Sequence, residues 1–235
     1  MPTESRVPAM SRALTPTRSA SPRLESILVE SVVANLRAYL GRPDAALFRE
    51  VTAGRSIADV VAVVPGRRLQ AVRPLSVWES FVVAAVRQLG STRIDVLERV
   101  CGLEPRALRE DERRFDRLVK IGLLRRGAGG SVQIGSTWGR SFQMIAIEAK
   151  LTRWRDALEQ AREYRLYANQ SYVALPEASV PMARRHRKDF EAAGVGLLSV
   201  NGHIKTIVSA EPETDHDWRR EFLWSRLVPS SGDAR

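Results

Sequence analysis

Disulfide cross-linking is the first thing this sequence excludes. It holds one cysteine, Cys101, in 235 residues, and a single thiol has no partner within the chain. The three histidines, His186, His203 and His216, lack metal-ligand spacing, so a structural zinc site is not expected. No apolar run reaches the ~18 residues of a membrane-spanning helix, and the first residues lack the apolar stretch of a signal peptide. A soluble, cytoplasmic chain with no membrane partner is the expectation. Acidic residues are scarce relative to basic ones, 27 against 37, for a net charge of +10. Such a polycation is drawn to phosphate backbones or other anionic surfaces. With 44% hydrophobic residues, the chain can form one sizeable core, or a modest core plus a small second module.

Residues 1–21 are rich in Ser, Thr, Pro and Arg and carry too little apolar surface to offset the entropy of ordering. They read as a disordered basic tail; the same bias suits an organelle transit peptide, though short basic tails are commoner. From Pro22 to Leu40, Leu24, Ile27, Leu28, Val32, Leu36 and Leu40 recur at helical spacing, and Gly41 ends the pattern. Leu47–Thr52 and Ile57–Val64 follow as two strands about a glycine turn. Pro65-Gly66 then punctuates the chain, and 22–73 form the first part of an α/β domain.

Residues 74–138 change character. Ser76–Leu89 reads as a helix, Ser91 is placed to cap a second with Ile94, Leu97 and Val100, and Pro105 suits the start of a third running to Ile121. Leu123–Arg126 and Ser131–Ile134 read as strands joined by a glycine-rich tip. Three helices followed by a small hairpin is the order of a winged helix-turn-helix. Val100–Arg126 resembles that family, particularly in the Gly102-Leu103 turn and the Gly122-Leu123-Leu124 helix-to-wing junction, with a spacing between them a few residues longer than usual. From 139 to 227 the α/β pattern returns. Phe142–Leu151 is a strand, Arg153–Ala168 a helix, Ser171–Leu175 a strand and Pro181–Ala193 a helix. Gly196–Val200 and Ile204–Val208 flank an Asn201-Gly202 hairpin turn. Asp215–Leu227 is a last amphipathic helix, and 228–235 a tail.

Two apolar strands carry misplaced charge. In Met144-Ile145-Ala146-Ile147-Glu148-Ala149-Lys150-Leu151, alternation puts Glu148 and Lys150 on one face and Ile147, Ala149 and Leu151 on the other. Asp59 stands alone in Ile57–Val64. Ionised groups in buried strands need a partner or a metal. Were the two strands neighbours, Asp59 and Glu148 would converge on one divalent cation, for which magnesium, an oxygen-ligated ion, is the natural candidate and manganese the alternative.

These residues resemble the PD-(D/E)XK nuclease superfamily, whose core runs helix, strand, strand with Asp, strand ending in Glu-X-Lys, helix, strand. The likeness covers residues 24–64 and 141–208. Gln160-Ala161-Arg162-Glu163-Tyr164 is similar to the QxxxY feature of RecB-like members. The customary proline before the Asp is Ala58 here, and Asp59 and Glu148 lie 89 positions apart, a gap that the inserted module fills. The fold implied is a restriction-endonuclease-like mixed sheet flanked by helices and interrupted by a winged-helix domain. The resemblance implies that Asp59 and Glu148 hold the metal, with the Ala149 carbonyl as a third ligand and Glu30 or Glu50 completing the shell. It implies that Lys150 stabilises the attacking hydroxide, and that Gln160 orients water or phosphate. Phosphodiester hydrolysis would follow.

On the third helix of the insert, Arg106, Arg109, Arg113 and Arg117 recur at three- and four-residue spacing, with Arg114 and Lys120 adjacent. Between Gly66 and Arg140, 15 basic residues stand against 8 acidic ones. A solvated charged face explains part of this; arginines reaching guanine edges and phosphates in double-stranded DNA explain the excess. The leading reading is a magnesium-dependent DNA endonuclease, as a homodimer if both strands are cut. The alternatives are a non-catalytic DNA-binding regulator on a nuclease-like fold, and a protein-binding module whose basic charge serves RNA.

Overall fold

The computed structural model describes residues 22–64, 74–100, 108–135, 142–214 and 217–227. Helix α1 (Pro22–Leu40) buries Leu28, Val32 and Leu36, a stripe of i, i+4, i+8 positions that lays one face of the helix on a sheet. The sheet has six strands, β1 (Ala46–Ala53), β2 (Ser56–Val64), β6 (Gln143–Ala149), β7 (Gln170–Pro176), β8 (Gly196–Val200) and β9 (Ile204–Val208), in that spatial order. β1, β2 and β6 pair antiparallel, β6, β7 and β8 parallel, and β9 returns antiparallel to β8. Each parallel step requires a crossover. It is made by α5 (Trp154–Tyr164) between β6 and β7, and by α6 (Val180–Arg184) and α7 (Arg187–Ala193) between β7 and β8.

The crossover helices cover the face opposite α1. One core cluster joins Leu28, Val32 and Leu36 to Val60, Ile145, Ile147 and Leu198. The other joins Trp154, Ala157, Ala161 and Phe190 to Val61, Val63, Met144, Ala146 and Leu197. Burial on both faces is why β2, β6 and β8 read as near-continuous apolar runs, and why a carboxylate within them is costly.

Between β2 and β6 the chain forms α2 (Val77–Leu89), β3 (Thr92–Arg93), α3 (Ile94–Val100), α4 (Leu108–Lys120), β4 (Leu124–Arg126) and β5 (Ser131–Ile134). The three strands form an antiparallel sheet of their own, in the order β3-β5-β4. Helix α2 starts with a capping box. Ser76 Oγ accepts from the Glu79 amide, and Glu79 Oε2 from the Ser76 amide at 2.8 Å. Val82, Val86, Leu97, Phe115, Leu118, Leu123 and Val132 fill the interior.

The last helix, α8 (Trp218–Leu227), lies along α2. A buried ion pair joins Arg87 to Glu221 at 2.8 Å, and Phe142 stacks on Trp224 with ring centroids 4.7 Å apart. The Leu75 amide donates to Ser225 Oγ at 3.0 Å, and the Arg226 guanidinium to the Leu75 carbonyl at 3.0 Å. The chain's way into the segment and its way out are therefore held by one helix.

Two expectations are corrected. Ser91 does not cap a helix: its hydroxyl accepts from the Gln133 amide, Thr92 and Arg93 pair with β5, and α3 begins only at Ile94. Pro181–Ala193 is not one helix, because it breaks at Arg185-His186, where the His186 ring packs on Trp154 at 4.7 Å. The tails 1–21 and 228–235, the Gly102-Leu103 turn and Pro105 lie outside the described residues.

Candidate active site

Asp59 and Glu148 come from adjacent antiparallel strands. The register pairs Val60 with Ile147, so the residues one step further along are Asp59 and Glu148. Alternation slips in β2 at this point: Ala58 and Val61 both face the α5-side core, while Val60 faces α1. Asp59, half-buried at the slip, accepts a hydrogen bond from the Ala149 amide at 2.7 Å. On β1 the ladder also opens here. Arg49 pairs with Val60 and Val51 with Ala58, leaving Glu50, at φ +50°, unpaired at the position of Asp59. That left-handed conformation is uncommon for a residue other than glycine and costs about 1–3 kcal/mol.

Glu148 is 1% exposed, with both carboxylate oxygens engaged. Lys150 Nζ lies 2.9 Å from Oε1. The Tyr164 hydroxyl sits 2.7 Å from Oε2 and 2.7 Å from the Ile57 carbonyl, donating to one or the other. Helix α5 places Tyr164 there because its Ala157, Ala161 and Tyr164 stripe packs on β6, β7 and β2. Gln160, one turn before Tyr164, is half-buried on the same helix.

The electrostatics describe a centre short of positive charge. Burial raises the Glu148 carboxyl above the ordinary carboxylate range, the Asp59 charge raises it further, and the bonds from Tyr164 and Lys150 only partly oppose this. Asp59 is likewise raised by burial, against the pull of the Ala149 amide and Lys150, with Glu25 and Glu50 adding to the rise. For Lys150, burial favours the neutral amine, but the Glu148 and Asp59 carboxylates outweigh it and hold the ammonium above its usual value. Burial also lifts the Tyr164 phenol well above its normal range, with Glu148 adding to the rise, so Tyr164 stays a neutral donor.

The remaining candidates for the shell are distributed unevenly. Glu30 is exposed and forms an ion pair with Arg49, which draws it to the outer edge of β1. Glu50 is exposed, yet its charge is felt at Asp59. Ala149 contributes its amide N–H, as a donor to Asp59. Glu25 is the residue the sequence reasoning missed: its charge acts on both Asp59 and Lys150. A signal for it existed. Glu25 precedes Leu28 and Val32 by three and seven positions, which puts a carboxylate on the buried stripe of α1, whereas Glu30 falls off that stripe. Among the described residues no group of three or more His, Cys, Asp or Glu side chains is placed to hold a metal. The close donor set is the two carboxylates.

In the intervening segment, α4 turns Phe115 and Leu118 inward, while Arg113, Arg114 and Lys120 are exposed. Arg117 is drawn inward too, to the buried Glu79 carboxylate at 2.9 Å. Arg114 lies over the Trp78 ring at 5.9 Å. Arg106 and the side chain of Arg109 are outside the described residues. Compared with known protein families, curated proteins and solved structures, the chain matches none.

Proposed function

We propose that the chain is a metal-dependent phosphodiesterase acting on DNA, built on a restriction-endonuclease-like core with an inserted winged helix that presents the duplex. The observation carrying this reading is the meeting of Asp59, Glu148 and Lys150 at one end of neighbouring strands, although the two acids lie 89 positions apart. Strand order and direction agree with the proposed core, and three helices with a three-stranded antiparallel sheet agree with the proposed insert.

The two carboxylates fit a hard divalent cation, magnesium or manganese: both are oxygen donors, and each is raised above its usual pKa by burial, as anions lacking sufficient counter-charge are. A cation there would neutralise charge on a phosphoryl group and acidify water. The chain's own groups divide the remaining work. The Ala149 amide fixes the Asp59 carboxylate, and Tyr164 fixes Glu148. Lys150, kept protonated by both acids, holds positive charge beside the phosphoryl oxygens as the transition state forms. Gln160 orients water or phosphate from α5. The exposed Arg113, Arg114 and Lys120 of α4 contact the DNA backbone or bases, together with Arg106 and Arg109.

The test is plasmid incubated with magnesium. Wild-type protein is expected to nick or linearise it, with a loss of at least a hundredfold in Lys150→Ala and Asp59→Asn. Magnesium should raise the melting temperature of the wild type and not of Asp59→Asn, because a ligand of the folded state stabilises by mass action. Duplex binding without any cutting would favour the second reading, a non-catalytic DNA-binding regulator. The nearness of Lys150 to one Glu148 oxygen and of the Tyr164 hydroxyl to the other speaks for that alternative.

A further inference from the structure

A second basic feature lies on the crossover-helix face of the sheet, apart from the insert. Between α6 and the β8–β9 hairpin is a cavity of about 480 Å³ lined by Val180, Pro181, Arg184, Arg185, Ser199 and Lys205. The side chains of Arg184, Arg185 and Lys205 make no ion pair or hydrogen bond with another described residue. Arg42, Arg49, Arg87, Arg117 and Arg165, by contrast, all face carboxylates. Glu177, the one acid at the rim, accepts from the Asn201 side chain.

The strand register connects this cavity to the centre. Leu175 pairs with Ser199, and Ser199 with Lys205. On the other side Ala149 pairs with Ala174, and the Lys150 amide donates to the Ala174 carbonyl at 3.1 Å. Lys150, Leu175, Ser199 and Lys205 therefore form one lateral row across four strands. Three inter-strand steps of about 4.8 Å separate the two lysines, roughly 14 Å, a reach that a few nucleotides cover. The turn leading into α6 bridges the interval, with Ser179 donating to the Leu151 carbonyl just past Lys150 at 2.5 Å.

We infer that the cleft framed by Arg184, Arg185, Lys205 and Ser199 is a phosphate-binding subsite that grips the nucleic-acid strand a few nucleotides from the Asp59–Glu148–Lys150 centre. The inference rests on the proposed action on nucleic acid. It concerns where the strand runs, and it needs no metal. Three unneutralised cations around a concavity in line with the centre fit a run of backbone phosphates. Such contacts are independent of base sequence, and each one releases counterions.

The test compares two variants of equal charge, Arg184→Gln/Arg185→Gln/Lys205→Gln and a control on the outer faces of α5 and α7, Arg155→Gln/Arg162→Gln/Lys188→Gln. Binding to a fluorescent duplex is titrated without divalent ions across a range of salt, and circular dichroism confirms that both variants fold. The cleft variant is expected to bind at least tenfold more weakly, with the slope of log affinity against log salt smaller by about two to three, near 0.9 per lost contact. The control should stay within a few-fold of wild type. Equal losses in the two variants would overturn the subsite, since net charge would then explain them, as would a wild type that does not bind DNA. Plasmid cleavage by the wild type is read in parallel. Cleavage together with equal binding losses leaves the catalytic reading standing and removes the subsite, whereas a selective loss with no cleavage keeps the subsite and removes hydrolysis.

Discussion

Asp59 and Glu148 both hold their protons more tightly in the folded chain than in the unfolded one, and this fixes the sign of their effect on stability. Between the ordinary carboxylate range and the raised native values the folded state carries more protons, so stability falls as pH rises through that window. Asp59→Asn removes one of the charges, and its side-chain oxygen can still accept from the Ala149 amide. The variant is expected to melt higher than the wild type at pH 7–8, with the gap closing as pH falls into the ordinary carboxylate range. Melting curves across pH would check this; a variant less stable at every pH would mean that the buried charges are not in conflict. The acids and the lysine were legible in the sequence because charge inside an apolar strand breaks the pattern around it. Glu30 was harder to place: sequence alone did not reveal that Arg49 would claim it, whereas Glu25 stood in plain view at helical spacing from Leu28 and Val32. Arg117 shared a spacing with its neighbours that suggested one outer face, yet Glu79 on α2 draws it inward.

At the level of elements, helices and strands with strong periodicity were readable to within a few residues, the helix expected over Arg153–Ala168 ending at Tyr164, and the mixed α/β class followed from their order. What escaped was set by contacts distant in sequence. Two residues of β3 carry no period of their own and are strand only because β5 lies beside them. The break between α6 and α7 has no proline or glycine at it; His186 there packs on Trp154 and its ring bonds Asp189. The α2–α8 pairing was also invisible, although it contains the buried pair Arg87–Glu221, whose side chains are 9% and 3% exposed. Removing Glu221 takes away the carboxylate that the buried Arg87 guanidinium faces, so Glu221→Ala is expected to cost about 3–5 kcal/mol, and Arg87→Ala, which removes only one of the contacts of Glu221, less. Replacing both, Arg87→Met with Glu221→Leu, should recover most of that loss. Chemical denaturation of the three variants would decide it; a double variant as unstable as the singles would mean that the ions do more than neutralise each other.

For the whole molecule, a net charge of +10 pointed to anionic partners before any fold was considered, and no helix among the described residues is long and apolar enough to cross a membrane. The sequence could not disclose how the segment between β2 and β6 is mounted. Its two ends are gripped by α8 through Leu75, Ser225, Arg226, Phe142 and Trp224, and its interior is continuous with the core over α5. Such a mounting turns the molecule into a ruler. If, as proposed, the outer face of α4 seats the duplex and the carboxylate centre cuts it, the span between them is set by packing, and scission should fall at one constant offset from the protected stretch. Mapping cut ends against a footprint would reveal a single spacing; a broad scatter would show that the two halves swing freely.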